Sequence, residues 1–385
     1  MIPYGKQDIN SDDIEAVVDV LKSDFLTQGP KVPSFEQSIA KFAGAKYSCA
    51  VNSATSALHI ACLALGLGKG DELWTSPITF VASANCAMYC GAQINFIDID
   101  PKTYNLCPKK LETRLAEAKK LGKLPKVVVA VHLCGQSCDM QKIHKLSKIY
   151  GFKIIEDASH AVGGKYLDYK IGSCRYSDIT VFSFHPVKII TTAEGGIALT
   201  NDKNLHYKMT LLRTHGITRD EKRMQGDTDG PWYYEQIELG FNYRMTDLQA
   251  ALGLSQVNRL EEFVTTRNKL AARYDNKLKS LPLTLPFQSK NTYSSFHLYV
   301  VRLDLENIQK SHKQVFKELR DKGIGVNLHY IPVHMHPYYQ SKGFKFGDFP
   351  EAEKYYSEAI SIPIFYGLKN NEQDRVVNAI TEVIG

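Results

Sequence analysis

The sequence predicts an α/β protein: a large, mostly parallel sheet covered by helices on both faces, with a smaller C-terminal α/β domain. Three observations predict it. Strand-length apolar runs alternate with segments of helical spacing from the first residues onward. Residues 126–133 (KVVVAVHL) are apolar without alternation, as a parallel strand buried on both faces is. From about Met245 the texture changes to a long helical stretch, a Pro-, Ser- and Asn-rich segment, and a further set of strands and a helix. Such alternation implies βαβ units, whose ligands bind beyond the carboxyl ends of the strands. The change of texture divides the chain into a large domain with its N-terminal segment, 1–245, and a linking helix with a small domain, 246–385.

Residues 12–22 and 34–43 carry apolar positions at helical spacing. A short strand, 48–51, runs into a helix over 52–67. Residues 71–80 read as strand and turn, and a helix follows from about Val81 to Cys90. Strands are expected at 93–100, 126–133, 152–157, 178–185 and 195–200, with helices at 109–120 and 139–150. The stretch 246–278 reads as one helix. After 281–295 come a strand at 296–303, a helix at 315–323 and a strand at 325–332. Residues 217–234 are charged and turn-rich, and are expected to form a loop that closes over substrate.

Composition narrows the function. The 385 residues suit two or three domains, and 44% hydrophobic with 23% charged residues is ordinary for a globular protein. A net charge of +6 with both signs mixed along the chain argues against nucleic acid and is compatible with an anionic small substrate. The cluster Lys119, Lys120, Lys123 and Lys126 reads as a solvated helix end. No basic and apolar leader opens the chain and no apolar stretch is long enough to span a membrane. A cytoplasmic protein is expected, with its eight cysteines reduced. Neither Cys86/Cys90 nor Cys134/Cys138 has zinc-site spacing, and no metal is expected.

Candidate chemistry follows three strands. Asn52–Ala57 (NSATSA) opens a helix with small hydroxyl residues and backbone N–H groups, which suits a phosphate; an ordinary N-cap reads the same way. Asp157 ends the strand FKIIED, where a carboxylate needs a partner such as a protonated pyridine nitrogen; a turn cap is the plainer reading. Lys188 lies among Val187, Ile189 and Ile190, where desolvation would free its amine for a Schiff base; a lysine that snorkels to the surface is the plainer reading. Ser183 stands close enough in sequence to serve the same phosphate. Gly195-Gly196 suits a bend or a close approach.

In this order the motifs resemble those of the DegT/DnrJ/StrS family of sugar aminotransferases, pyridoxal-phosphate enzymes of fold type I, the aspartate-aminotransferase-like fold. The resemblance covers essentially the whole chain. It is carried by residues 24–29 (DFLTQG), 52–58, 156–161, 182–196, 213–216 (RTHG), 240–245 (GFNYRM) and 329–332 (HYIP). LTQG, NSATSAL, the histidine of DASHA, TTAEGG and LGLSQ most resemble the pseudaminic acid branch. Many members have Gly-Thr at Ala54-Thr55 and Gln at His160, and both departures agree with that branch. Dehydrating relatives replace the lysine with histidine, so Lys188 speaks for amine transfer.

The resemblance implies pyridoxal 5'-phosphate as cofactor. It implies transfer of an amino group from L-glutamate to C4 of a UDP-linked 4-keto-6-deoxy-N-acetylhexosamine, giving UDP-4-amino-4,6-dideoxy-N-acetyl-β-L-altrosamine. Perosamine-type and UDP-D-sugar aminotransferases share most motifs and are the alternative, with a non-catalytic pyridoxal-phosphate-binding regulator as the remote one. Lys188 would hold the cofactor and move protons, Asp157 would pair its ring nitrogen, and His160 would lie by its phenolic oxygen. Thr55, Ser56 and Ser183 would bind its phosphate, and Phe80 would stack on its ring. Asn242, with Arg244, would reach the cofactor phosphate of a neighbouring subunit, which implies a homodimer with shared active sites. The nucleotide sugar would meet Tyr4, Asp24, Phe25, Leu26, Thr27, Ala54, Ser183, Asn242, His329, Tyr330, Ile331, Pro332 and Tyr356. His329 is thus read as a substrate contact, and His334 and His336 as packing or surface residues.

Overall fold

The computed structural model describes residues 1–385. Seven strands form the main sheet: β1 (Tyr47–Val51), β2 (Glu72–Thr75), β3 (Gln93–Phe96), β4 (Val127–Val131), β5 (Lys153–Asp157), β6 (Ile179–Ser183) and β7 (Gly196–Thr200). Their order is β1-β7-β6-β5-β4-β2-β3. Only β7 runs antiparallel to its neighbours, β1 and β6; the other pairs are parallel.

A first helix, α1 (Ser11–Leu21), packs on a later helix, and those that cover the sheet are α2 (Lys31–Ala43), α3 (Ala54–Ala64), α4 (Ala82–Tyr89), α5 (Pro108–Leu121), α6 (Met140–Tyr150) and α7 (Lys203–Arg213). In β4 the apolar run serves two cores. Val127, Val129 and Val131 pack with residues of α3 and α4, and Val128 and Ala130 with Leu111, Leu115 and Ile143 of α5 and α6. That is why the run shows no alternation.

The stretch 246–278 is two helices, not the one that its spacing suggests: α8 (Asp247–Val257) and α9 (Leu260–Leu278). The break falls at Arg259, whose guanidinium reaches Asp8 at 2.6 Å and the fully buried Asp13 at 2.5 Å. Those partners lie far off in sequence, so helical spacing alone gives no sign of the break.

The C-terminal part continues with α10 (His312–Asp321), α11 (Pro337–Gln340), α12 (Pro350–Glu358) and α13 (Asn370–Ile384). Strands β8 (Tyr299–Leu303) and β9 (Ala359–Ile362) pair antiparallel. Their core draws on α9, α10 and α13 and also takes Ile2, because Ile2–Pro3 pairs with Ile324–Gly325. The strand expected at 325–332 is correspondingly short. Beyond Gly325 only Asn327 makes a bridge, to Ser361, and the segment turns to face a cavity. Residues 217–234 leave and return through a short ladder, Ile217–Thr218 against Glu235–Gln236.

Candidate active site

A cavity of about 550 Å³ opens at the carboxyl ends of the main-sheet strands. It is lined by residues that follow β1, β2, β5 and β6, and closed by Asn327–Tyr330 from the C-terminal part. A mostly parallel sheet places ligands here.

Helix α3 starts at one wall. Ser53 is its N-cap, accepting from the Ser56 N–H at 3.1 Å. The Ser56 hydroxyl is spent inside, on Asn52 Oδ1 at 2.7 Å, and Ser56 does not line the cavity. Ala54 and Thr55 do line it, and as the first helical residues their N–H groups have no intrahelical acceptor. Gly196 lets β7 pass against this helix start, since a Cβ there would lie 2.4 Å from Ala54 N. Ser183, at the end of β6, faces the same wall.

Asp157 ends β5 and is buried. Ser83 Oγ donates to its Oδ2 at 2.6 Å, and the N–H and Oγ of Ser159 donate to Oδ1 at 3.1 and 2.6 Å. Because Ser83 gives its only proton to Asp157, Thr79 donates to Ser83 across their 2.7 Å contact. Thr79 belongs to the turn that also presents Phe80, 58% exposed, to the cavity.

Lys188 sits in a turn tied back on both sides. Its N–H donates to His185 O at 2.9 Å, Thr192 N–H to Phe184 O at 3.0 Å, and Phe184 N–H to Gly195 O at 2.9 Å. Lys188 is half-buried and lines the cavity. Desolvation lowers its pKa from 10.5 to about 8, against an opposing pull from Asp157.

Three neutral histidines surround it. His160 accepts from the Cys134 N–H at Nδ1 (3.2 Å) and meets Tyr330 Oη at Nε2 (3.0 Å). His297 packs on it with ring centroids 4.4 Å apart. His329 contacts Ser361 Oγ at 2.7 Å, and its carbonyl accepts from Tyr355 Oη at 2.7 Å. Burial and then the charge of Lys188 hold His160 and His297 well below the usual imidazole range and His329 at about 3. Tyr4 stands 5.0 Å from the His329 ring.

Of the residues singled out by sequence, the cavity brings together Tyr4, Ala54, Thr55, Phe80, Asp157 and His160, and with them Ser183, Lys188, His329 and Tyr330. It does not include Asp24 to Thr27, which are exposed beside the start of α8, where Asp247 N–H donates to Leu26 O. Nor does it include Ile331, Pro332 or Tyr356. Asn242 is exposed, bridged to Thr214, and Arg244 is bridged to Val51. His334 is buried and pairs with Glu353 at 2.9 Å. No three His, Cys, Asp or Glu side chains are grouped to hold a metal, and all eight cysteines are unpaired.

Sequence reasoning missed Ser83, Ser159, His297, Asn327 and Glu194. Ser159 and Glu194 lie inside motifs already quoted and were legible. Ser83 and His297 come from segments with no motif of their own.

Pyridoxal phosphate fits these residues. Unpartnered N–H groups and the hydroxyls of Thr55 and Ser183 suit a phosphate, a carboxylate held by three donors suits a ring nitrogen, and a desolvated amine suits an aldehyde. The family model described as the DegT/DnrJ/EryC1/StrS aminotransferase family matches residues 7–381. The chain is 39% identical over 386 residues to "Spore coat polysaccharide biosynthesis protein SpsC" of Bacillus subtilis, covering 100% of this chain and 97% of that protein. It is 38% identical over 367 residues to a "UDP-4-amino-4,6-dideoxy-N-acetyl-beta-L-altrosamine transaminase" of Campylobacter jejuni, covering 94% and 92%. The solved structure of Helicobacter pylori PseC, an aminotransferase involved in the biosynthesis of pseudoaminic acid, superposes with a TM-score of 0.90 at 31% identity, covering 100% and 99%.

Proposed function

Because the chain belongs to the DegT/DnrJ/EryC1/StrS family of pyridoxal-phosphate-dependent sugar aminotransferases, we propose that it moves an amino group from L-glutamate to C4 of a UDP-linked 4-keto-6-deoxy-N-acetylhexosamine. The product is UDP-4-amino-4,6-dideoxy-N-acetyl-β-L-altrosamine, a step of pseudaminic acid synthesis. One observation carries the chemistry: a desolvated Lys188 and a buried, triply hydrogen-bonded Asp157 face one cavity. The sugar assignment is supported by the C. jejuni and H. pylori relatives and by His160 and Ala54-Thr55.

Bound cofactor supplies the carbonyl that takes up the amine and a ring that draws electrons from the reacting carbon. The protein supplies position and protons. Asp157, held in place by Ser83 and Ser159, would accept from the ring nitrogen. Thr55, Ser183 and the α3 N-terminus would hold the phosphate, and Phe80 would cover the ring. Lys188, with its pKa near 8, holds or releases a proton at Nζ close to neutral pH. Tyr4, His329 and Tyr330 line the cavity where the nucleotide sugar would bind, with Ile331 and Pro332 beyond its wall. Asp24 to Thr27 and Asn242 lie outside the cavity of their own chain, and Phe25 and Leu26 are 54% and 49% exposed. This supports a homodimer in which Asn242 completes the partner's site. No helix is long and apolar enough to cross a membrane, and we place the enzyme in the cytoplasm.

A second reading keeps the chemistry and changes the sugar. It is favoured by the 39% identity to SpsC, a protein named for spore coat polysaccharide biosynthesis. Purified enzyme should be yellow and be bleached by glutamate. Supplying both C5 epimers of the keto sugar then decides between the readings. Turnover of the L-sugar precursor supports the first, and turnover of the D-epimer alone supports the second. Full turnover by Lys188→Ala would remove both.

A further inference from the structure

His160 has both ring nitrogens committed inside the protein. The Cys134 N–H can only donate, so Nδ1 carries a lone pair. The ring is neutral, so Nε2 bears its single proton and gives it to Tyr330 Oη at 3.0 Å. The hydrogen of Tyr330 is therefore aimed elsewhere, and Oη makes no other hydrogen bond in the protein. Tyr330 lines the cavity with Lys188 and Asp157, and its ring lies 6.1 Å from that of Phe80. His297 backs the pair, 4.4 Å from the His160 ring.

We propose that Tyr330 is a catalytic residue of the amine transfer: its hydroxyl, oriented by His160, donates a fixed hydrogen bond to the carbonyl oxygen of the keto substrate. The proposal rests on the amine-transfer reading above, but not on the identity of the sugar. When nitrogen adds to the carbonyl carbon, a C–N bond forms and the C=O π pair moves on to oxygen. The Tyr330 hydrogen bond stabilises the charge that gathers there, and the proton stays on Tyr330. Burial pushes the phenol pKa up, so the group acts as a donor and not as an acid at neutral pH. Accepting from His160 strengthens what Tyr330 donates.

The test uses Tyr330→Phe holoenzyme. Enzyme preloaded with amine by glutamate is mixed with 2-oxoglutarate in a single turnover, which needs no sugar. A wrong sugar assignment therefore shows only in the sugar assay, and a failure of Tyr330 only here. The variant should react about 10²-fold more slowly, with its melting temperature, cofactor affinity and cofactor absorbance unchanged. A second readout does not involve turnover. Carbonyl-labelled 2-oxoglutarate is bound to the pyridoxal-phosphate form, and its C=O stretch is read by isotope-edited infrared spectroscopy. The stretch should lie lower in the parent than in the variant. Equal rates or equal stretches overturn the proposal. A changed cofactor absorbance in the variant also overturns it, because the hydroxyl would then serve the cofactor's oxygen.

Discussion

Replacing Lys188 with methionine should stabilise the cofactor-free protein at neutral pH. The folded state holds this amine at a pKa of about 8, against 10.5 ordinarily, because the surrounding protein desolvates it. At about 1.36 kcal/mol per pKa unit, keeping the protonated lysine in place costs at most about 3–4 kcal/mol. Water in the cavity reduces that figure, and about 1–3 kcal/mol is expected. The sign follows from proton binding. Between about pH 8 and 10.5 the unfolded chain holds a proton that the folded chain has released, so stability rises with pH across that window. Below pH 8 the cost is complete, and above 10.5 it is gone. Methionine is of similar length and carries no charge. Lys188→Met should therefore melt about 1–4 °C above the parent at pH 7, taking about 2.1 cal/mol/K of unfolding entropy per residue. Part of the gain is added apolar contact and does not depend on pH. The decisive quantity is how the difference changes between pH 7 and pH 10, read from thermal melts of both cofactor-free proteins. A variant less stable at pH 7, or a difference equal at both pH values, would refute the assignment of Lys188 as a desolvated amine.

Uptake of pyridoxal phosphate by the cofactor-free protein should accelerate as pH rises through about 8, since the neutral amine is the nucleophile; Asp157→Asn should move that midpoint down, because Asp157 holds the lysine pKa up. Stopped-flow absorbance against pH reads both. Arg213→Ala should cost about 1–3 kcal/mol in chemical denaturation, because Arg213 bonds Glu36 at 2.6 Å and Ala50 O at 2.7 Å and leaves a half-buried carboxylate without its cation. Gly196→Ala should destabilise by about 1–3 kcal/mol and weaken cofactor binding, since its Cβ would press on the backbone of Ser53 and Ala54; fluorescence titration of cofactor reads the second effect. The excursion at 217–234 should be cut more slowly by protease when substrate is bound, and equal cutting would mean that it does not close.

The fold was legible where local pattern and tertiary role agree. Strand ends were readable because buried strands are apolar and stop at polar residues, and this located Asp157 and Lys188. The sheet's one antiparallel strand, β7, was not readable, since its sequence GIALT is apolar in either direction. The break between α8 and α9 was invisible for the same kind of reason. Residues 246–278 keep helical spacing throughout, and the break falls at Arg259, whose partners Asp8 and Asp13 are remote in sequence. Ser83 could not be connected with Asp157 across 74 residues. Ser56 was assigned to the phosphate with its neighbours, but helix geometry turns its hydroxyl toward Asn52 instead. In the C-terminal part, the residues at 325–332 suggested a strand, whereas Asn327–Tyr330 form a wall of the cavity.

The cavity places several titratable groups around one point, and their environments pull them apart. His329 is held at about 3, and His160 and His297 well below the imidazole range, by burial and by the charge of Lys188. Tyr4 and Tyr330 are pushed up by burial. Near neutral pH these histidines stay neutral and these phenols stay protonated. Fixed partners, the Cys134 N–H for His160 and Ser361 for His329, hold the rings in place. Among them only Lys188, at about 8, can exchange a proton at working pH. The arrangement is also mutual: burial and then the lysine's charge keep the histidines neutral, and neutral histidines add no repulsion that would lower the lysine further. A site that must move a proton on and off one nitrogen, without reorienting the donors around it, is served by walls that do not titrate.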